Sequence, residues 1–366
     1  MTRVFAMALV LIVVANVAPG QMANDVEEPG TLQPALVDAS VHYGSKRATL
    51  GSVQKKLPLT VRVALNRWAP VALDLGMEIA VGQRAEVLVI GTADAEQLRQ
   101  AAVWMDEASD LIEPLAAGEA DAPKRPPVAT VAFLFDKEGL HSDAWTGLMD
   151  AFADQRVLER ATAASFAADP NGVTMRHAGI FVQPTFDLAG DATAGDDEFR
   201  LGNEVVAKFT HMHLARHFGP LPETLRWGIG FVVEQRLFQS IYQFNAAGFV
   251  KSEDHFDWPK RTRDLLSKRM KDRKYALADE ALSQAGVGLA VPSQMLTWAS
   301  LDYMLAKKPK ALTGLLSDLS ALHRAQDAHG LQPAYQGTSE ATREAIVSAW
   351  ESVDTRKLKS HLKKVK

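Results

Sequence analysis

The 366-residue chain contains no cysteine. That absence removes disulfide staples, thiolate metal sites, thiol catalysis and a bacterial lipoprotein anchor together. Core burial has to hold the fold. An excess of positive charge is missing as well, since 40 Lys and Arg stand against 44 Asp and Glu. Nucleic-acid binding is not expected from that balance. No Gly-rich phosphate loop and no Gly-x-Ser-x-Gly elbow occurs, so nucleotide-binding and serine-hydrolase readings lack their central residues. There is no internal repeat and no sustained heptad pattern. Beyond the N-terminus no apolar stretch approaches a transmembrane length.

What is present begins with an export signal. Arg3 supplies a positive charge, Val4–Val14 is an unbroken apolar run, and Ala18-Pro19-Gly20 places small residues before Gln21. This pattern predicts a signal peptide over residues 1–20, cleaved before Gln21, with a retained N-terminal anchor as the alternative. The mature chain is then exported, secreted or periplasmic, without stable membrane insertion. Residues 21–56 open with an acidic Pro/Gly-containing stretch and read as a linker or poorly ordered segment.

Residues 57–200 read as an α/β part. Leu57–Leu65 and Val71–Ile79 form short apolar runs that suit strands, and Ala85–Ile90 is a firmer one. Thr92 is placed to cap a helix from Ala93 to about Leu115, with Leu98, Ala102, Met105 and Leu111 along one stripe. Val128–Phe135 reads as a buried strand, Ser142–Phe152 as a helix and His177–Val182 as a further strand. The loop Asp187–Glu198 is acidic but lacks an EF-hand pattern, so it reads as solvated rather than calcium-binding.

Residues 201–354 read as mainly helical, with helices over Pro292–Leu305, Leu312–Leu322 and Thr342–Val353. Lys251–Lys274 carries both charge signs and reads as a loop and an exposed helix, pinned to the body by Phe256 and Trp258. The basic tail 355–366 reads as solvated. The fold class predicted is therefore α+β. A small β-sheet with helices fills the N-terminal half, followed by a two-helix motif and a mainly helical C-terminal half.

That motif lies in residues 201–235. One helix runs from about Asn203, a candidate N-cap, to Phe218, and the next starts near Pro222 and passes Glu234. The order of a histidine-bearing apolar helix, Phe218-Gly219, Leu221-Pro222, and a second helix with Leu225 and Gly228 resembles the active-site region of gluzincin-type, peptidase MA-like metallopeptidases. In that family a His-Glu-x-x-His helix supplies two zinc ligands and a general base, and a glutamate on the second helix completes the shell. Here His211 matches the second histidine. The first ligand falls on Ala207, the base on Lys208 and the third ligand on Trp227. A methyl and an indole N–H offer no lone pair to zinc, and an ammonium opposes a divalent cation.

The resemblance thus implies a family fold whose zinc chemistry has been removed. It points to a non-catalytic exported protein with no cofactor. An extended peptide or protein would lie in a vestigial groove lined by Lys208, His211 and Trp227, with strand His177–Val182 at the edge. The alternative is a metal-dependent peptidase or hydrolase with a relocated zinc site. His213 and His217 share a helical face, Glu234 could approach from the second helix, and His211 stands about 200° away from His213. A third reading makes the helical half an interface within an exported assembly.

Overall fold

The computed structural model describes residues 31–92, 94–116, 129–135, 180–184, 201–218, 221–241, 244–245, 248–249, 258–282, 291–328 and 340–365. The segment expected to be a signal peptide, the helix expected over Ser142–Phe152, the acidic loop Asp187–Glu198 and Phe256 lie outside them. The class is α+β, as the patterning predicts.

Among the described residues a short 3-10 turn, Pro34–Leu36, leads into a hairpin, β1 (Ser40–Tyr43) and β2 (Lys46–Thr49), then α1 (Leu50–Val53) and α2 (Leu59–Asp74). Strands β3 (Glu78–Val81) and β4 (Val87–Gly91) follow, then α3 (Ala95–Ala116), β5 (Thr130–Phe135) and β6 (Ile180–Pro184). The helical half comprises α4 (Leu201–Phe218), α5 (Glu223–Phe238), α6 (Trp258–Arg269), α7 (Leu277–Leu282), α8 (Val291–Lys307), α9 (Pro309–Ala328), α10 (Glu340–Glu351) and α11 (Thr355–His361). A two-residue ladder, β7 (Phe244–Asn245) with β8 (Gly248–Phe249), sits after α5. Among the described residues no helix is long and apolar enough to cross a membrane.

The sheet order is β2-β1-β3-β4-β5-β6. Pairs β1–β2 and β3–β4 are antiparallel, whereas β1–β3, β4–β5 and β5–β6 are parallel. Both faces of its centre are covered, which is why the Val87–Ile90 run is apolar throughout rather than alternating. Leu88 and Ile90 join Val61, Leu65, Trp68 and Ala72 of α2 in one core. Val87 and Val89 join Leu98, Ala102 and Met105 of α3 in the other. That second core continues through α4 and α5 into the helical half, so α3 lies between the sheet and the two-helix motif. Asp106 of α3 anchors this layer. Its buried carboxylate accepts hydrogen bonds from the backbone N–H groups of Gln83 (2.7 Å), Arg84 (3.2 Å) and Ala85 (2.7 Å) in the β3–β4 connection.

Four sequence expectations are corrected. Residues 31–56 are not a linker. They contribute β1 and β2 to the sheet, and Asn66 of α2 pins their start by accepting from Gln33 N and donating to Thr31 O. The strands expected over Leu57–Leu65 and Val71–Ile79 are instead the single helix α2 followed by β3. Val61, Val63 and Leu65 mimic strand alternation, yet Val61 and Leu65 are fully buried while Val63 is 50% exposed, a helical period. Asn203 is no cap, because α4 already starts at Leu201. The basic tail is not a solvated end. Asp354 caps α11 by accepting from Arg356 N and Lys357 N, and Leu358 and Leu362 are fully buried.

The docked tail completes a buried charge cluster. Asp302 of α8 accepts from Arg236 Nε of α5 at 2.9 Å, and His361 Nε2 of α11 lies 2.6 Å from its other oxygen. Burial pushes the Asp302 carboxyl up, but the His361 hydrogen bond and the Arg236 charge outweigh it and hold the carboxyl below its ordinary 3.8. A depressed folded pKa gives stability that is present above the ordinary value and lost as pH falls through the folded one. Asp302→Asn is expected to cost about 3 kcal/mol near neutral pH, with the gap to wild type closing below about pH 4 in urea titrations. Leu358→Ala is expected to cost about 2–4 kcal/mol by the same measurement. An unchanged urea midpoint for Leu358→Ala would mean that the tail does not dock.

Candidate functional site

Helix α5 runs between α4 and α8 at a separation set by two glycines. A Cβ on Gly228 would stand 2.5 Å from Leu301 Cδ1 and 3.0 Å from Thr297 Cγ2 of α8. A Cβ on Gly230 would stand 2.9 Å from His211 Nε2 and 4.0 Å from Ala207 Cα of α4. Two residues apart on a helix means about 200° around it, so each glycine opens one side of α5.

That close approach brings together three of the four positions that the resemblance singles out. The His211 ring lies 4.5 Å from the Trp227 ring, edge to face, and both side chains are half-buried. Ala207 is buried behind them, against the Gly230 side of α5. The Lys208 side chain lies outside the described residues. Trp227 continues into an aromatic ladder, with Phe231 at 6.1 Å, Trp258 at 5.7 Å from Phe231, and Trp298 at 5.6 Å from Trp258. The indole is therefore built into the packing of the helical half. The family's zinc does not fit these residues: one imidazole is the only metal donor among His211, Ala207 and Trp227, and Trp227 stands against it.

The relocated triad is brought together only in part. His213 and His217 do share a face, with ring centroids 4.4 Å apart. Glu234 does not join them. It is fully buried and accepts from Asn203 Nδ2 at 2.8 Å, and the same amide donates to Ser240 O at 3.0 Å. Asn203 precedes His213 by almost three turns of α4, about 15 Å along the axis. Antiparallel packing of α4 on α5 thus sends Glu234 to the N-terminal end of α4, away from the histidines. Their carboxylate neighbour comes from another element. Glu113, in the last turn of α3, has its Oε2 3.2 Å from His213 Nε2. The donor atoms of Glu113, His213 and His217 all lie within 4.8 Å of one another. Sequence reasoning did not find Glu113, because nothing local marks the end of α3 as facing the end of α4.

No protein-family model matches the chain. No curated protein matches it either.

The glycine contacts carry a direct prediction. Gly230→Ala is expected to cost about 1–3 kcal/mol in chemical denaturation by forcing His211 off its place against Trp227. Gly314→Ala on α9, where an added Cβ meets nothing within 4 Å, is expected to stabilise by about 0.5–1 kcal/mol. Equal effects at the two positions would contradict the close α4–α5 contact.

Proposed function

We propose that the chain is an exported, non-catalytic peptidase MA-like protein that holds an extended peptide or protein segment beside α4. The observation that carries this reading is the edge-on contact of Trp227 with His211. It fills with an indole the place where a peptidase of that type keeps its third zinc ligand, while the surrounding helix–turn–helix frame is kept. Phe218, Leu221 and Leu225 of that frame are buried.

The expected edge strand supports the binding side of the reading. β6 is the terminal strand of the described sheet, paired with β5 and in contact with α4. A terminal strand can take up an extended segment through backbone hydrogen bonds, with side-chain pockets setting preference. Lys208 follows Ala207 on α4, and its ammonium is the cation that we assign to a ligand carboxylate. Export rests on the N-terminal apolar run and its small-residue cleavage pattern.

Hydrolysis by His213, His217 and Glu234 is the weaker reading. Glu234 is committed to Asn203, and Leu214 follows His213 where a carboxylate base would be needed.

The test is retention on an array of extended peptides, read together with turnover of casein. Wild type is expected to retain a subset of peptides and cut none. Lys208→Glu is expected to change that subset while stability moves by no more than about 0.5 kcal/mol. Chelator-sensitive casein cleavage, or an array on which nothing is retained, would sink the proposal.

A further inference from the structure

We propose that Glu113, His213 and His217 form a binding site for a divalent cation of the zinc class at the junction of α3 and α4. The inference is independent of the peptide-binding reading and of the family resemblance, whose metal positions lie elsewhere on α4 and α5.

The donor set comes first. Two imidazoles one turn apart and one carboxylate are ligands that zinc accepts with tetrahedral geometry, at about 2.0–2.2 Å from each atom. Donors around such an ion stand roughly 3.3 Å from one another. His213 Nε2 and Glu113 Oε2 are already 3.2 Å apart, and no pair in the trio exceeds 4.8 Å. His217 is half-buried and Glu113 is on the surface, so small side-chain rotations can close the remaining distance. Oxygen-seeking calcium and magnesium would find one carboxylate where they need several oxygens.

The second observation is an aimed but unsatisfied nitrogen. The His213 side chain is nine-tenths buried, and its Nε2 makes no hydrogen bond of acceptable geometry among the described residues. The approach to Glu113 is close enough for one but is not aligned as one. A buried nitrogen with no aligned hydrogen bond, 3.2 Å from a carboxylate oxygen, is available as a ligand beside it.

The helices add a favourable field. Glu113 lies in the last turn of α3 and His217 in the last turn of α4, so the C-terminal ends of both helices face the cluster. Each end carries partial negative charge that favours a cation. α3 has no basic residue in its last turn to answer that charge internally. A bound ion would tie α3 to α4, the same contact that joins the sheet layer to the helical half. Three protein donors leave one coordination position for water or for a donor from a partner.

The test uses the purified full chain, stripped with chelator and dialysed against zinc or calcium, with bound metal counted and thermal unfolding followed. About one zinc per chain and a raised Tm are expected, with no response to calcium. Glu113→Gln and His217→Ala, both outside the core, should weaken zinc binding by about tenfold or more. His211→Ala should leave it intact. The proposal is overturned if the stripped chain takes up no zinc, or if uptake survives both Glu113→Gln and His217→Ala. Zinc lost on His211→Ala but kept on His217→Ala would overturn both this site and the reading of the His211–Trp227 contact as metal-free. Absent zinc uptake with peptide retention unchanged would overturn this site alone.

Discussion

The arrangement of the helical half depends on α5 being held between α4 and α8 at distances that a side chain at Gly228 or Gly230 would not allow. Helices pack at separations set by the residues in the contact, and glycine gives the closest approach. Once α5 is wedged in this way, its register against α4 has little freedom. Asn203 must meet Glu234 at one end, and His211 must meet Trp227 near the middle. His213 and His217 are then left to face the end of α3 rather than α5. The aromatic ladder from Trp227 to Trp298 and the buried Asp302 cluster extend the same constraint into α6, α8 and α11.

A second constraint fixes the sheet side. Asp106 replaces solvent for three backbone N–H groups in the β3–β4 connection and so ties α3 to the sheet at a defined height. Seven residues further along α3, Glu113 emerges beside the histidines. The cluster therefore sits where two separately anchored layers meet. Its donors are few, but each comes from a helix whose position is set by buried contacts elsewhere, which is the condition for a site with stable geometry.

Much of the fold was legible from short-range pattern. The run Val87–Ile90 is buried throughout, as are Val131, Ala132 and Leu134 of β5, because both faces of the sheet are covered there, and both runs read as buried strands directly. The stripe of α3 and the two-helix frame around Phe218, Leu221 and Leu225 read equally well. α2 did not, because Val61, Val63 and Leu65 satisfy a period of two as well as a period of four. The tail did not, because its lysines outnumber the two leucines that carry its docking. Asn203 looked like a cap because its side chain suits one, but it donates instead to Glu234 on α5 and to Ser240 O just past that helix.

At the candidate site the division is sharper. Spacing along one helix was enough to say that His213 and His217 share a face, since a 3.6-residue turn leaves no other outcome. It was also enough to say that alanine, lysine and tryptophan cannot do a zinc peptidase's chemistry, because donor atoms belong to the residue and not to its surroundings. The identity of the third donor was beyond that reach. Glu234 and Glu113 are equally plausible carboxylates in a string of letters. The choice between them follows from glycine-permitted packing of α4 on α5 and from Asp106 holding α3, contacts between distant residues whose effect appears only when the layers are assembled.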